Sequence, residues 1–268
     1  MNSIESGPKP PQSETLKLQK LSRQEVEYRI KQGENLENFD LQNLDLAGLN
    51  FEGISFRGSD VRGVIFFRQT KGANNEVEKI TTNLKNTDWT DALFARFDLN
   101  EQENEGNFIK VDAQGATFGF TESLAARRER HNIERQEKKK TPTEKDSGAY
   151  LNFIGSSGNF ENTKWMNIDF GGDKEGGYEA IFFDADLSNA LFTNCDLSYI
   201  EFSETKIDGL KIKDPHGLEG LIIKENQISS LIQAIEYTDS QKQAKFLAEV
   251  KNNGPKKILE EFLHIKII

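Results

Sequence analysis

Cysteine is almost absent. Cys195 stands alone in 268 residues, so no intrachain disulfide can form and no cysteine metal cluster exists. It falls on a small, inward-pointing position of the repeat described below, where it is expected to fill the space of an alanine and not to act as a reactive thiol. Long apolar runs are missing as well. No segment approaches the roughly twenty residues of a membrane span, and the N-terminal MNSIESGPKPPQSETLKLQK lacks the apolar core of a secretory signal. It reads as a disordered tail; no membrane partner is expected, and the chain is expected in the cytoplasm. Histidine is scarce: His131, His216 and His264 fall in a charged insert, a turn and the terminal helix, with nothing to bring them together. Nucleophile elbow, zinc spacing and phosphate-binding loop are all lacking, so no catalytic residue, cofactor or metal site is nominated and an enzyme is not expected. Positive charge is in short supply. A net charge of −10 disfavours direct nucleic-acid binding, because an acidic surface repels phosphates.

What the chain has is a period of five. From Phe182 large apolar residues recur as Leu187, Phe192, Leu197, Phe202, Ile207 and Ile212, and two places before them stand Ala180, Ala185, Ala190, Cys195, Ile200, Thr205 and Leu210. Two inward positions separated by two have strand spacing, and the chain must then turn before the next five begins. Such a chain winds about an axis. The turn slot, two places after each centre, holds Asp184, Asn189, Asn194, Tyr199, Glu204 and Gly209. An earlier run is sharper: after centres Leu36, Leu41, Leu46, Phe51, Phe56 and Val61 the slot holds Asn38, Asn43, Gly48, Gly53, Gly58 and Gly63. Type II turns want Gly or Asn at their third residue, which gives the pattern a mechanism. The 19 phenylalanines, against 2 tryptophans and 5 tyrosines, suit a stacked core.

On these residues the chain resembles the pentapeptide-repeat family, whose units run small, Asp/Asn, Leu/Phe, polar, variable. The resemblance implies a mainly β fold, a right-handed quadrilateral β-helix with five residues per side and four sides per coil. Residues 35–212 supply about six coils on that count, interrupted near 67–81, 100–106, 119–157 and 171–179. The first run continues through Phe66, and centres outside the two unbroken runs are Leu84, Trp89, Phe94, Leu99, Phe108, Ala113, Phe118, Phe160, Trp165 and Phe170.

Residues 1–20 form the tail and 21–34 a capping helix. Ser22 and Glu25 make a capping box, Leu21 and Val26 its hydrophobic staple, and Gly33 the stop. Beyond residue 212 the period ends and a helical cap over 213–268 follows. Its helices are expected near 225–237, after Asp239 or Ser240, and from Pro255 to the end, with Leu231, Ile232, Ile235, Phe246, Leu247, Val250, Ile258, Leu259 and Phe262 on apolar faces. They cover the last coil or a second copy of the chain.

Three features invite functional readings. The Gly-rich 171–179 lacks the Lys-Ser/Thr ending of a phosphate loop and reads as a flexible loop. The basic insert carrying Arg127, Arg128, Arg130, Arg135 and Lys138 to Lys140 is interleaved with glutamates and reads as a solvated, projecting helix. The aspartates before repeat centres, Asp40, Asp45, Asp60, Asp88, Asp98, Asp169, Asp186 and Asp196, belong to the repeat and not to a carboxylate pair.

Between residues 160 and 212 eleven acidic residues face four basic ones. Asp184 is expected to stack near Glu204, and Ile181 near Glu201, with Phe183 pointing outward beside them. Phe183, Asp184, Glu201 and Glu204 therefore form the candidate partner-binding surface of a non-catalytic scaffold whose acidic side and loops meet a protein partner. The resemblance also implies a second reading, imitation of duplex DNA toward gyrase with quinolone protection, in which the C-terminal helices make a homodimer. The segment 21–51 is similar to pentapeptide segments linked to bacterial delivery systems, which implies a third, a secretion-associated or effector protein.

Overall fold

The structure, a computed structural model, describes residues 18–66, 68–71, 77–80, 82–92, 113–123, 125, 126, 129, 159–168, 170, 182 and 184–268. Expectations for the first seventeen residues, Phe94, Leu99, Phe108, His131, Ile181, Phe183, the 100–106 and 171–179 breaks and most of the 119–157 insert lie outside these.

Each five-residue unit folds as its composition dictates. The centres Leu36, Leu41, Leu46, Phe51, Phe56 and Val61, and later Phe182 through Ile212, are buried. Two places on, the backbone passes through the left-handed region at most slots, with φ from 50° at Asp214 to 63° at Tyr199 where the residue is not glycine. Asn and Asp tolerate this conformation and Gly adopts it freely. Glu204, like Arg68 and Phe120 beside the interruptions, is a described slot that does not take positive φ. A second device fixes the turn. At many centres the residue before is Asp, Asn or Ser and turns its side-chain oxygen onto the backbone N–H two residues later, as Asp40 does for Gln42 at 3.0 Å, Asp88 for Thr90 at 2.9 Å and Asp196 for Ser198 at 3.0 Å. The described aspartates of the repeat, Asp40, Asp45, Asp60, Asp88, Asp186 and Asp196, are thus turn-makers; Asp98 and Asp169 lie outside the described residues.

The units stack in parallel. Strands β1 (Gln19–Lys20) and β2 (Phe39–Asp40) pair at one end, and Arg68–Lys71 (β3) and Val77–Ile80 (β4) form an antiparallel hairpin within the first interruption. The main ladder then runs β5 (Asp88–Thr90), β6 (Thr117–Gly119), β7 (Lys164–Met166), β8 (Leu191–Thr193) and β9 (Lys211–Lys213). Its register sets Trp89, Phe118, Trp165, Phe192 and Ile212 in one inward column. Phe56 joins the column, and the five rings from Phe56 to Phe192 lie within 11° of parallel, neighbour to neighbour, at centroid spacings of 4.0, 6.1, 4.3 and 5.6 Å. Phe192 and Ile212 are twenty residues apart, whereas Phe118 and Trp165, equally adjacent in the ladder, are separated by forty-seven. Insertions therefore leave the coil and return without shifting the register of the core.

Both tryptophans need an acceptor inside. Trp89 Nε1 donates to Thr87 Oγ1 at 2.6 Å and Trp165 Nε1 to Thr163 Oγ1 at 2.7 Å, and each threonine hydroxyl donates to the carbonyl three residues before it, Leu84 or Phe160. The small inward slot thus solves a polarity problem. Cys195, in another such slot, is buried as expected, its Sγ facing the carbonyl of Trp165.

Helix α1 (Arg23–Lys31) carries the anticipated capping box between Ser22 and Glu25. Gly33 and Glu34 donate to the Ile30 and Arg29 carbonyls, the paired bonds of a Schellman stop. Val26 and Leu21 join the core; Phe39, Leu44 and Leu49 in the first tier remain half-buried, having a neighbouring coil on one side only.

The C-terminal segment departs from the expected helical cap. Strand pairing continues past residue 212, because Leu218 and Ile223 resume inward positions after one extra residue. The helix expected over 225–237 is a 3-10 turn, Glu225–Gln227, followed by α2 (Ile228–Ala234). It stops there because Ile235–Glu236 (β11) pairs with β9 and buries Ile235 beside Ile212. Asp239 caps α3 (Ser240–Asn253). The final helix is cut short too: Pro255–Lys257 and the wider turn Ile258–Phe262 give way to Lys266–Ile267 (β12), which pairs with Ile222–Ile223 (β10).

Turn glycines supply a test. A Cβ at Gly209 would run into the Asn189 side chain one tier away, whereas at Gly53 nothing lies within 4 Å; their φ values are 67° and 75°. Gly53→Ala should cost only backbone strain, about 1–2 kcal/mol, and Gly209→Ala clearly more, read as the shift in urea midpoint. Thr163→Val, which strands the buried indole N–H of Trp165, should cost about 1–3 kcal/mol by the same measurement.

Candidate protein-contact surface

Residues flanking an inward centre face solvent, so the repeat builds flat outer sides bearing short polar side chains. Near the C-terminal tiers the ladder sets each residue beside the one twenty later. Lys206 N–H donates to the Ala185 carbonyl, and Leu187 N–H to the Lys206 carbonyl. That offset brings Asp184 and Glu204 one tier apart, both exposed, Asp184 at a left-handed turn with φ of 56°. Glu201 is exposed on a strand bridge to Ile222 and accepts a hydrogen bond from the Ser203 hydroxyl.

Two lysines stand beside these acids, Lys206 from within the counted stretch and Lys224 from beyond it. Lys206 Nζ lies 3.0 Å from Asp186 Oδ2, and Lys224 Nζ 2.6 Å from Glu204 Oε1. Both pairs are solvent-exposed, where such contacts contribute little to stability. Their effect is on the field: Glu204 is matched by a cation that stands beyond residue 212. Adding twenty to 186 and 204 would have found both partners in the sequence.

Burial pushes the Asp186 carboxyl up, but hydrogen bonds from Ser188 and Lys206 outweigh it and leave its pKa below the ordinary value. The Asp186 side-chain bond raises Lys206 in turn. Among the described residues no three His, Cys, Asp or Glu side chains are grouped to hold a metal ion, and no helix is long and apolar enough to cross a membrane. His216 and His264 are both exposed; the His216 N–H donates to the Cys195 carbonyl and the His264 carbonyl accepts from Gly220.

Residues 180–213 match the family model for pentapeptide repeats, with eight copies. No curated protein sequence matches the chain. Among solved structures, HetL, a pentapeptide-repeat protein involved in heterocyst differentiation regulation from the cyanobacterium Nostoc, is similar at 13% identity over 71% of this chain and 72% of its own, with a TM-score of 0.26. QnrB1, a plasmid-mediated fluoroquinolone resistance protein, is similar at 12% identity over 87% of this chain and 95% of its own, with a TM-score of 0.28.

The Asp186–Lys206 pair makes a signed prediction. A lowered carboxyl pKa contributes stability that is present above the ordinary carboxylate value and lost as pH falls through the lowered one; the raised lysine contributes below its ordinary value and loses this as pH rises through the raised one. Lys206→Met should therefore lose less thermal stability than the native chain on acidification. Coincident melting-temperature profiles would mean that the pair does not contribute.

Proposed function

Because the chain carries the pentapeptide repeats of that family at residues 180–213, we propose that it is a non-catalytic scaffold presenting one rigid side to a protein partner. The observation that supports this reading is the fixed tier-to-tier placement of Asp184 and Glu204, with Glu201 on the same tier as Glu204. Carboxylates held about 4.8 Å apart per tier by a backbone ladder need little ordering on binding, which lowers the cost of association. Phe183, which lies outside the described residues, completes the proposed contact, and the partner is a protein with a cationic surface. The scaffold is a right-handed quadrilateral β-helix of about six coils over 35–212, with residues 21–34 and 213–268 at its ends; a separation of twenty between stacked residues is four sides of five. It works in the cytoplasm, and exposed Leu247 and Phe262 offer a second copy of the chain a contact through the C-terminal segment.

Duplex-DNA imitation toward a topoisomerase is the second reading, favoured by the eleven acidic against four basic residues over 160–212. The ion pairs of Asp186 with Lys206 and Glu204 with Lys224 weigh against it, because they interrupt a phosphate-like charge row.

Affinity purification from the source cell, with quantification of the captured protein, tests the scaffold. Asp184→Ala combined with Glu201→Ala and Glu204→Ala should reduce capture several-fold, and added salt should weaken native capture in the same direction. Unchanged capture by the folded triple variant removes this surface from the proposal. Protection or inhibition in a gyrase supercoiling assay would favour duplex imitation instead.

A further inference from the structure

Among the 268 residues an asparagine precedes a glycine at one place only, Asn253 before Gly254. Such a pair reacts with itself. The glycine main-chain nitrogen attacks Cγ of the asparagine, a C–N bond forms, the bond from Cγ to Nδ2 breaks, and the glycine's proton leaves with Nδ2 as ammonia. The product is a five-membered succinimide. Water then opens the ring at one carbonyl or the other, leaving an aspartate or an iso-aspartyl link in which the main chain runs through the side-chain carbon. Glycine favours the reaction because no Cβ shields its nitrogen.

The fold requires the glycine. Gly254 ends α3 with φ of 83°, and Pro255 opens the next turn, so this junction suits the residue that adopts positive φ without strain. Control over the pair must therefore come from its surroundings.

Both reacting groups are tied down. The Gly254 N–H, the nucleophile, donates to the Val250 carbonyl at 2.9 Å. The Asn253 carboxamide, the electrophile, donates from Nδ2 to Glu249 Oε2 at 2.8 Å and to the Glu249 carbonyl at 3.3 Å. A hydrogen bond to a carboxylate is among the stronger kinds, and it pushes electron density from the amide nitrogen toward Cγ, which makes that carbon a poorer target. Asn253 is also the last residue of α3, where helical backbone turns the next nitrogen away from ring closure.

We propose that Asn253 is a site of spontaneous amide-to-acid modification, latched by Glu249, and that the reaction proceeds through openings of the last turn of α3. Either product sets a carboxylate against that of Glu249. The iso-aspartyl link also lengthens the main chain where α3 hands over to the segment bearing β12, so the modification loosens the turn that delayed it.

The full chain and a peptide spanning 248–258 are held in the same mildly alkaline buffer, and conversion is followed by peptide mass spectrometry with separation of the iso-aspartyl form. The native chain should convert many-fold more slowly than the peptide, and Glu249→Ala several-fold faster than the native chain. Glu249→Gln keeps an acceptor for Nδ2 and should stay near the native rate, which separates the latch from a merely helical role. Asn253→Asp should speed amide hydrogen exchange at Gly254, and circular dichroism checks that each variant is folded. A native chain that converts as fast as the peptide overturns the proposal. Conversion of folded Glu249→Ala at the native rate does the same, and slower conversion would mean that the carboxylate acts as a base instead of a latch. If Glu249→Ala does not fold, the native chain against the peptide and the exchange at Gly254 in Asn253→Asp decide, and an unchanged exchange rate there counts against the proposal.

Discussion

The left-handed residue that ends each side is the constraint on which the stack depends. A strand of three residues cannot bury anything by itself; it becomes part of a core only if the chain turns sharply enough to present the next side to the same axis, and does so again at a constant interval. Asn38, Asn43 and Asn189 make the turn with a side chain that reaches into the space of the slot one tier on. Gly58, Gly63 and Gly209 in those slots leave that space open. Turn conformation and register are therefore coupled: the asparagine fits because its neighbour has no Cβ. The same repetition brings ring over ring in the column from Phe56 to Phe192, where each stacked aromatic pair adds on the order of 0.5–1.5 kcal/mol beyond its buried area.

Much of this was legible in the sequence because a period of five with small residues at one inner position has few solutions. The capping box at Ser22 and Glu25, the stop at Gly33, the buried Cys195 and most turn slots follow from local chemistry that does not depend on the rest of the chain. What could not be read was whatever depends on a distant partner. Ile235 ends a helix one turn earlier than its apolar pattern suggests, because an open ladder edge at Ile212 outweighs helical continuation. Lys266 and Ile267 do the same against Ile222 and Ile223. In both cases the competitor is an unpaired strand at the end of the stack, which propensity does not see.

The candidate surface shows the same division. That Asp184 lies near Glu204 follows from the interval alone. The meaning of the charge does not, because Lys206 and Lys224 sit one tier from Asp186 and Glu204 and turn a row of like charges into a checkered one. Counting acids along a segment measures composition; counting them along a register measures field. Asp186 and Asp196 each close a turn, and Asp186 meets a lysine as well, so both carboxylates are engaged within the fold.

A repeat that stacks by a rule has no internal reason to stop, since every finished coil exposes the template for another. Helices at the ends shield apolar centres but do not by themselves satisfy polar edges. Here β11 and β12 pair back onto the last strands, and side chains meet carbonyls that these strands do not reach: two donors from the Gln227 carboxamide at Phe202 and Thr205, two from the Arg23 guanidinium at Asp45 and Ala47. Gln and Arg suit this position because each carries two or more donors on a planar head, and because neither, unlike a backbone segment, offers a further edge beyond itself. The end of the stack is then shared between strands that pair back onto it and side chains that satisfy the carbonyls those strands leave, and the departures from the repeat are as informative as the repeat itself.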